Sequence, residues 1–210
     1  MQTTRWYDFF SHFYDASLRG LYDEDRQAAS DALDIRSDSV VLDVPCGTGQ
    51  SFPYLVGWLG DAGLLLGVDG SAGMLKKARR RADSLRSSNI ALIQQDVAEL
   101  DFEALTGAAV GRRFDRLHLF LGLSCFPNWE AVFEQLWQGL APMGRCVIVD
   151  VHNAKPGFQG WMTELVSRGQ LHREVWRRLE QQSINFQRVD LPYHWKHGGQ
   201  IYLASGDKQG

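Results

Sequence analysis

The chain has 210 residues, 44% of them hydrophobic and 22% charged, with a formal net charge of -3. That length suits one domain with a large core, and the charge gives no electrostatic reason to expect nucleic acid as a partner. No apolar run approaches the length of a membrane span, so no stable membrane anchor is expected. The first ten residues lack a signal-peptide core, and the three scattered cysteines Cys46, Cys125 and Cys146 suit a reducing cytoplasm better than a disulfide framework or a zinc site.

Residues 5–22 are dense in aromatics, among them Trp6, Tyr7, Phe9, Phe13 and Tyr14, and their mixed i+3 and i+4 spacing predicts a short amphipathic helix. The aromatics either line a site or pack this helix on the body of the protein. Asp23 to Leu33 reads as a second helix leading into a strand over Ser39 to Val44. That strand runs into Asp43 and then into the tight turn Cys46-Gly47-Thr48-Gly49. A buried parallel strand ends in this way where a small molecule must touch the backbone, because glycine has no side chain to hold a ligand off. Gln50 to Leu59 is the helix that such a turn feeds.

The ligand class follows from the residues around the turn. A dinucleotide fingerprint wants a third glycine where Phe52 stands, and it would set Asp43 against a pyrophosphate. A carboxylate beside a phosphate is repulsive, whereas beside an ammonium or sulfonium it is favourable. The stretch Val41-Leu42-Asp43-Val44-Pro45-Cys46-Gly47-Thr48-Gly49 resembles motif I of the class I S-adenosylmethionine-dependent methyltransferases. The Tyr7-Asp8 and Tyr14-Asp15 pairs resemble the opening of the ubiquinone/menaquinone C-methyltransferase group, where such an arm covers the cofactor.

Gly63 to Asp69 is a second strand closed by an acid, and Asp69 stands where a doubly wound fold places a carboxylate for ribose hydroxyls. The alternative is that Asp69 caps the next helix, a task better suited to Ser71 or Gly70. The basic helix from Lys76 to Arg86 keeps Leu75, Ala78, Ala82 and Leu85 on one side, so its charges read as a solvated face. Asn89 to Gln95 is a third strand before an acid, Asp96. The resemblance gives Asp96 the adenine amine and the Val97 N–H a ring nitrogen, while a helix N-cap is the plain alternative. It also implies cofactor contacts from Cys46, Gly47, Thr48, Gly49, Gly70, Met74 and Leu121.

Phe114 to Leu121 is the fourth strand, and the loop after it, with Ser124 and Phe126, begins the acceptor pocket by resemblance. The loop lacks the (Asn/Asp)-Pro-Pro-(Tyr/Phe) tetrapeptide of nucleic-acid amino-methyltransferases. A helix from Trp129 to Leu140 stops at Pro142, and Cys146 to Val151 is the fifth strand. Trp161 to Gln182 reads as one helix, followed by closing strands over Ile184 to Tyr193 and Gln200 to Ser205.

The fold expected is α/β: a doubly wound, Rossmann-like sheet of seven strands, mostly parallel with the last antiparallel, in three α/β/α layers. Residues 1–38 form an arm over the site, 39–151 the S-adenosylmethionine-binding core, and 152–210 the closing helix and strands. The function expected is methyl transfer from S-adenosylmethionine, leaving S-adenosylhomocysteine, to a small-molecule or lipid-like acceptor. Such a displacement needs alignment and exclusion of water, and a base only where the nucleophile must lose a proton. His152 is the candidate base, followed by His194, Tyr7 and Tyr14, and the same residues are candidates for touching the acceptor. Asp150 and Asn153 lack an evident third ligand, so no metal is expected. N-methylation of a phospholipid or betaine lipid, and a non-catalytic S-adenosylmethionine-binding module, are the rival readings.

Overall fold

The computed structural model describes residues 20–210. The apolar runs Val40–Asp43 (β1), Leu64–Asp69 (β2), Ile90–Gln94 (β3), Arg116–Phe120 (β4) and Arg145–His152 (β5) lie side by side as parallel strands. They are apolar almost throughout because both faces of the sheet are covered, as parallel sheets require. Ile184–Asp190 (β6) and Gln200–Asp207 (β7) complete the sheet in the order β3-β2-β1-β4-β5-β7-β6. Strand β7 runs antiparallel to both neighbours, pairing Arg145 with Asp207 at one end and His152 with Gln200 at the other.

Alternate residues of each strand serve two cores. Leu42, Leu66, Ile148, Tyr202 and Ala204 face one side, covered by helices Phe102–Ala108, Trp129–Gly139 and Trp176–Gln182. Val41, Leu65, Val147, Val149 and Leu203 face the other, covered by Asp23–Ala32, Phe52–Val56 and Ala72–Leu85. In chain order the helices are α1 (Asp23–Ala32), α2 (Phe52–Val56), α3 (Ala72–Leu85), α4 (Phe102–Ala108), α5 (Trp129–Gly139), α6 (Phe158–Ser167) and α7 (Trp176–Gln182). This is the expected three-layer, doubly wound arrangement.

Three helical stretches depart from the sequence reading. The single helix expected over residues 161–182 is two helices, since α6 ends with Arg168 in the left-handed region at φ 55°. The segment between α6 and α7 instead binds the loop after β4: Arg173 donates to the carbonyls of Ser124, Phe126 and Pro127, and Gln170 N donates to Ser124 O. Helix α4 was not expected from periodicity; it is short and is started by Asp101, whose carboxylate accepts from Glu103 N and Ala104 N. Helix α2 is also shorter than the expected ten residues and stops at Val56. Among the described residues no helix is long and apolar enough to cross a membrane.

Candidate active site

The chain leaves β1 and β2 toward one face of the sheet and β4 toward the other. A cavity of about 260 Å3 opens there, at the switch point between β1 and β4. The turn after β1 forms its floor. Gly47 and Gly49 have φ of 54° and 74°, a region that costs glycine nothing. A Cβ on Gly47 would meet nothing within 4 Å, whereas one on Gly49 would come within 2.6 Å of the Phe52 ring. So Gly47 faces the cavity, and Gly49 faces the buried Phe52, which also packs against Gly67. Phe52 thereby fills the space that a third glycine would leave open for close helix–strand packing.

Asp43, Asp69 and Asp96 all line this one cavity. Asp43 is 1% exposed, and its Oδ1 lies 2.7 Å from Nδ1 of His118, its register partner on β4. Its Oδ2 is buried with no hydrogen-bond partner among the described residues. An unpaired carboxylate oxygen in a buried site is costly unless a cation or donor meets it. His118 itself is fully buried; its Nδ1 makes the bond to Asp43, and its Nε2 has no partner among the described residues.

Asp69 ties the site together. Its Oδ2 accepts from Gly47 N at 2.9 Å and its Oδ1 from Ser71 N at 2.8 Å, which joins the glycine turn to the start of α3. The cap of α3 is Ser71, whose Oγ accepts from Met74 N at 3.1 Å. The Asp69 carboxylate is almost buried and lines the cavity. Asp96 accepts from Ala98 N at 3.0 Å through Oδ1 and caps the short turn Val97–Glu99. Burial, helped by the Asp69 and Asp43 carboxylates, pushes the Cys46 thiol well above its ordinary range, so Cys46 is a wall and not a nucleophile at neutral pH.

Of the residues expected at the cofactor, Asp43, Cys46, Gly47, Thr48, Asp69, Gly70, Met74, Asp96, Val97 and Leu121 line the cavity, and Gly49 stands behind its floor. Of those expected at the acceptor, Phe126 lines it. Ser124 is buried on Asp150, donating from Oγ at 2.9 Å and from its backbone N at 3.1 Å. His152 packs edge-on against Trp176 with ring centroids 5.0 Å apart, away from the lining. His194 accepts from Lys196 N at 3.2 Å and caps the turn Trp195–His197. Tyr7 and Tyr14 lie outside the described residues. Asp150 is also bonded by Val151 N, and Asn153 bonds Gly198 O and Lys155 N. Among the described residues no group of three His, Cys, Asp or Glu side chains could hold a metal ion.

One lining residue had no signal in the sequence. Arg26 is 3% exposed on α1, with its guanidinium 5.1 Å from the Phe120 ring centroid and 5.8 Å from that of Tyr22, and it donates to Gln50. An arginine in an acidic helix start reads as solvated, and only the docking of α1 buries it.

The methyltransferase-domain family model matches residues 35–200. The chain belongs to that family. It is thus placed among the class I S-adenosylmethionine-dependent methyltransferases. The demethylmenaquinone methyltransferase of Bacillus cereus (strain AH187) is 27% identical over 118 residues, covering 56% of this chain and 47% of that protein. The chain therefore spans about half the length of the curated relatives it matches. Phosphoethanolamine N-methyltransferase 2 of Haemonchus contortus, solved with S-adenosyl-L-methionine, superposes with a TM-score of 0.74 at 12% identity, covering 97% of this chain and 57% of that one. A putative rRNA methylase from Clostridium thermocellum superposes at 0.60 with 15% identity, covering 89% and 96%. Likeness at these identities establishes the fold.

The site residues of this methyltransferase-family chain fit S-adenosylmethionine on their own chemistry. A bare carboxylate oxygen of Asp43 suits a cation, the open face of Gly47 lets a ligand reach the backbone, and the Asp69 and Asp96 carboxylates stand on the same cavity.

Proposed function

We propose that this chain transfers the methyl group of S-adenosylmethionine to a small-molecule or lipid-like acceptor. The observation that carries the reading is the meeting of three strand-end carboxylates around one cavity, with Phe52 in place of the third glycine of a dinucleotide fingerprint. When bound, S-adenosylmethionine supplies a methyl carbon made electrophilic by a sulfonium. Asp43 Oδ2 takes the ammonium of its amino-acid part, Asp69 the ribose hydroxyls, and the second oxygen of Asp96 with the Val97 N–H the adenine edge. Cys46, Gly47, Thr48, Gly70, Met74 and Leu121 shape the walls and exclude water.

Phe120, Phe126 and Pro127 give the same cavity an apolar flank, which supports an acceptor with an apolar body. His152 is off the lining and packed on Trp176, so this reading places the rate on the alignment of donor and acceptor. Residues 1–38, 39–151 and 152–210 serve as arm, binding core and closing portion in the same scheme; Arg26 of α1 at the cavity supports the first assignment.

The test is incubation with methyl-labelled S-adenosylmethionine and quinol, phenol, amine and phospholipid acceptors, following S-adenosylhomocysteine. Product is expected with one apolar acceptor class. Tight cofactor binding without product from any acceptor would point to a binding module, and tight NADH binding would overturn the cofactor assignment.

A further inference from the structure

Helix α6 is built inside out. Its inward side carries Gly160 and Thr163, so closely packed that a Cβ on Gly160 would come within 3.0 Å of the Gly198 carbonyl and one on Gly198 within 2.4 Å of Thr163 Oγ1. Its outward side carries Phe158, Trp161 and Leu165, exposed to 78%, 53% and 56%. Steps of three and four residues put these three on one stripe. The turn packed against the inward side adds Trp195, and Tyr193 precedes it by two residues; they are 58% and 65% exposed. An ordinary surface helix has these sides exchanged. Exposed apolar side chains gathered along one helix stripe, with more on the turn packed beside that helix, mark an interaction site.

The two segments that carry it are poor in acid. Lys155 precedes α6, and the Lys196 ammonium lies 5.8 Å from the Trp195 ring centroid. Glu164 is the sole acid in residues 151–173, and residues 191–199 have none. Glu164 is turned to the protein, accepting from Leu171 N at 2.9 Å. Indole and phenol rings beside lysines are the composition of surfaces that sit in the headgroup layer of a bilayer. The end of α6 touches the loop that lines the cavity, since the Ser167 carbonyl accepts from Sγ of Cys125, a lining residue, at 3.4 Å.

We infer that α6 and the Trp195–His197 turn seat this chain on an anionic lipid bilayer. Phe158, Trp161, Leu165, Tyr193 and Trp195 enter the headgroup layer, and Lys155 and Lys196 meet the lipid phosphates. The inference deepens the proposed function, giving a lipid-like acceptor a short path from its own phase to the cavity.

The test is flotation of the full chain with phosphatidylcholine vesicles, with and without phosphatidylglycerol, run beside calorimetry with S-adenosylmethionine. The chain is expected to float with the anionic vesicles. The triple variant Phe158→Ser/Trp161→Ser/Trp195→Ser, and separately Lys155→Glu/Lys196→Glu, are each expected to lose about tenfold in partitioning while keeping cofactor affinity. Absence of flotation, equal flotation on neutral vesicles, or variants that float like the wild type would overturn it. So would a concentration-dependent dimer abolished by the triple variant, which assigns the surface to a second copy. A photo-crosslink from position 161 to residues 1–19 would likewise assign it to the chain's own N-terminal segment. Flotation without cofactor affinity in any of the proteins would leave the surface standing and remove the methyl-transfer reading instead.

Discussion

Asp43 and His118 show how one residue's chemistry depends on another far off in sequence. The carboxylate is buried because β1 ends inside the molecule, and it tolerates burial because β4 brings an imidazole to 2.7 Å. Removing one partner of a buried pair leaves the other uncompensated. His118→Leu is therefore expected to cost about 3 kcal/mol in urea unfolding, and a double-mutant cycle with Asp43→Ala to be strongly non-additive. Asp69 has a structural task, since both oxygens accept backbone N–H groups, beside the ligand contact proposed for it. Asp69→Ala is expected to lower stability by about 1–3 kcal/mol and S-adenosylmethionine affinity by about 2–4 kcal/mol in calorimetry. Affinity equal to wild type would defeat the ribose assignment.

At the scale of elements, the loop after β4 is held from outside the cavity it lines. Asp150 on β5 takes the N–H and hydroxyl of Ser124, and Arg173 takes three carbonyls of the same loop. Burial raises the Asp150 carboxyl above its ordinary range, against the pull of the Val151 and Ser124 hydrogen bonds. Arg173→Met keeps most of the side-chain length and removes the donors. It is expected to speed amide exchange over residues 123–128 at least several-fold, with a smaller change elsewhere, because a loop freed of its clamp opens locally. The glycine turn has no such tolerance. Gly49→Ala would combine a left-handed backbone with a Cβ pressed on the fully buried Phe52, and is expected to lower stability by about 2 kcal/mol or more.

For the whole molecule, two buried titrating groups act on stability in opposite directions. Burial, with His194 adding to it, lowers His197 to about 4; its ring stacks on Tyr22 at 4.9 Å. The fold holds this imidazole neutral, so the stability it contributes is complete above pH 6.5 and is lost as pH falls toward 4. Burial raises Asp25 to about 6 against the opposing charge of Arg26. Its ionised form costs the fold stability above pH 6, and that cost fades as pH falls toward 3.8. Asp25→Asn is thus expected to raise stability by about 1–2 kcal/mol at pH 8 and by nearly nothing at pH 4, in parallel melts. His197→Phe, which keeps the stack, is expected to flatten the acid side of the wild-type profile.

The sheet and the carboxylate rim were legible in the amino-acid order because both are local patterns. An apolar run closed by an acid, repeated at β1, β2 and β3, marks buried strand ends whatever else the chain does. The break between α6 and α7 was not legible, because helical periodicity continues across residues 168–175 while the loop at Ser124 claims their polar groups. Arg26 was hidden for the same reason, as was the use of Ser124 to anchor a loop instead of facing the cavity. The inverted faces of α6 depend on which side meets Gly198, and spacing alone cannot say which side of a helix turns inward. Order along the chain determined the layers, the strand ends and the class of ligand they welcome. Tertiary contact decided which side chains share a cavity and which apolar face stays in solvent, since burial belongs to pairs of surfaces and not to either sequence alone.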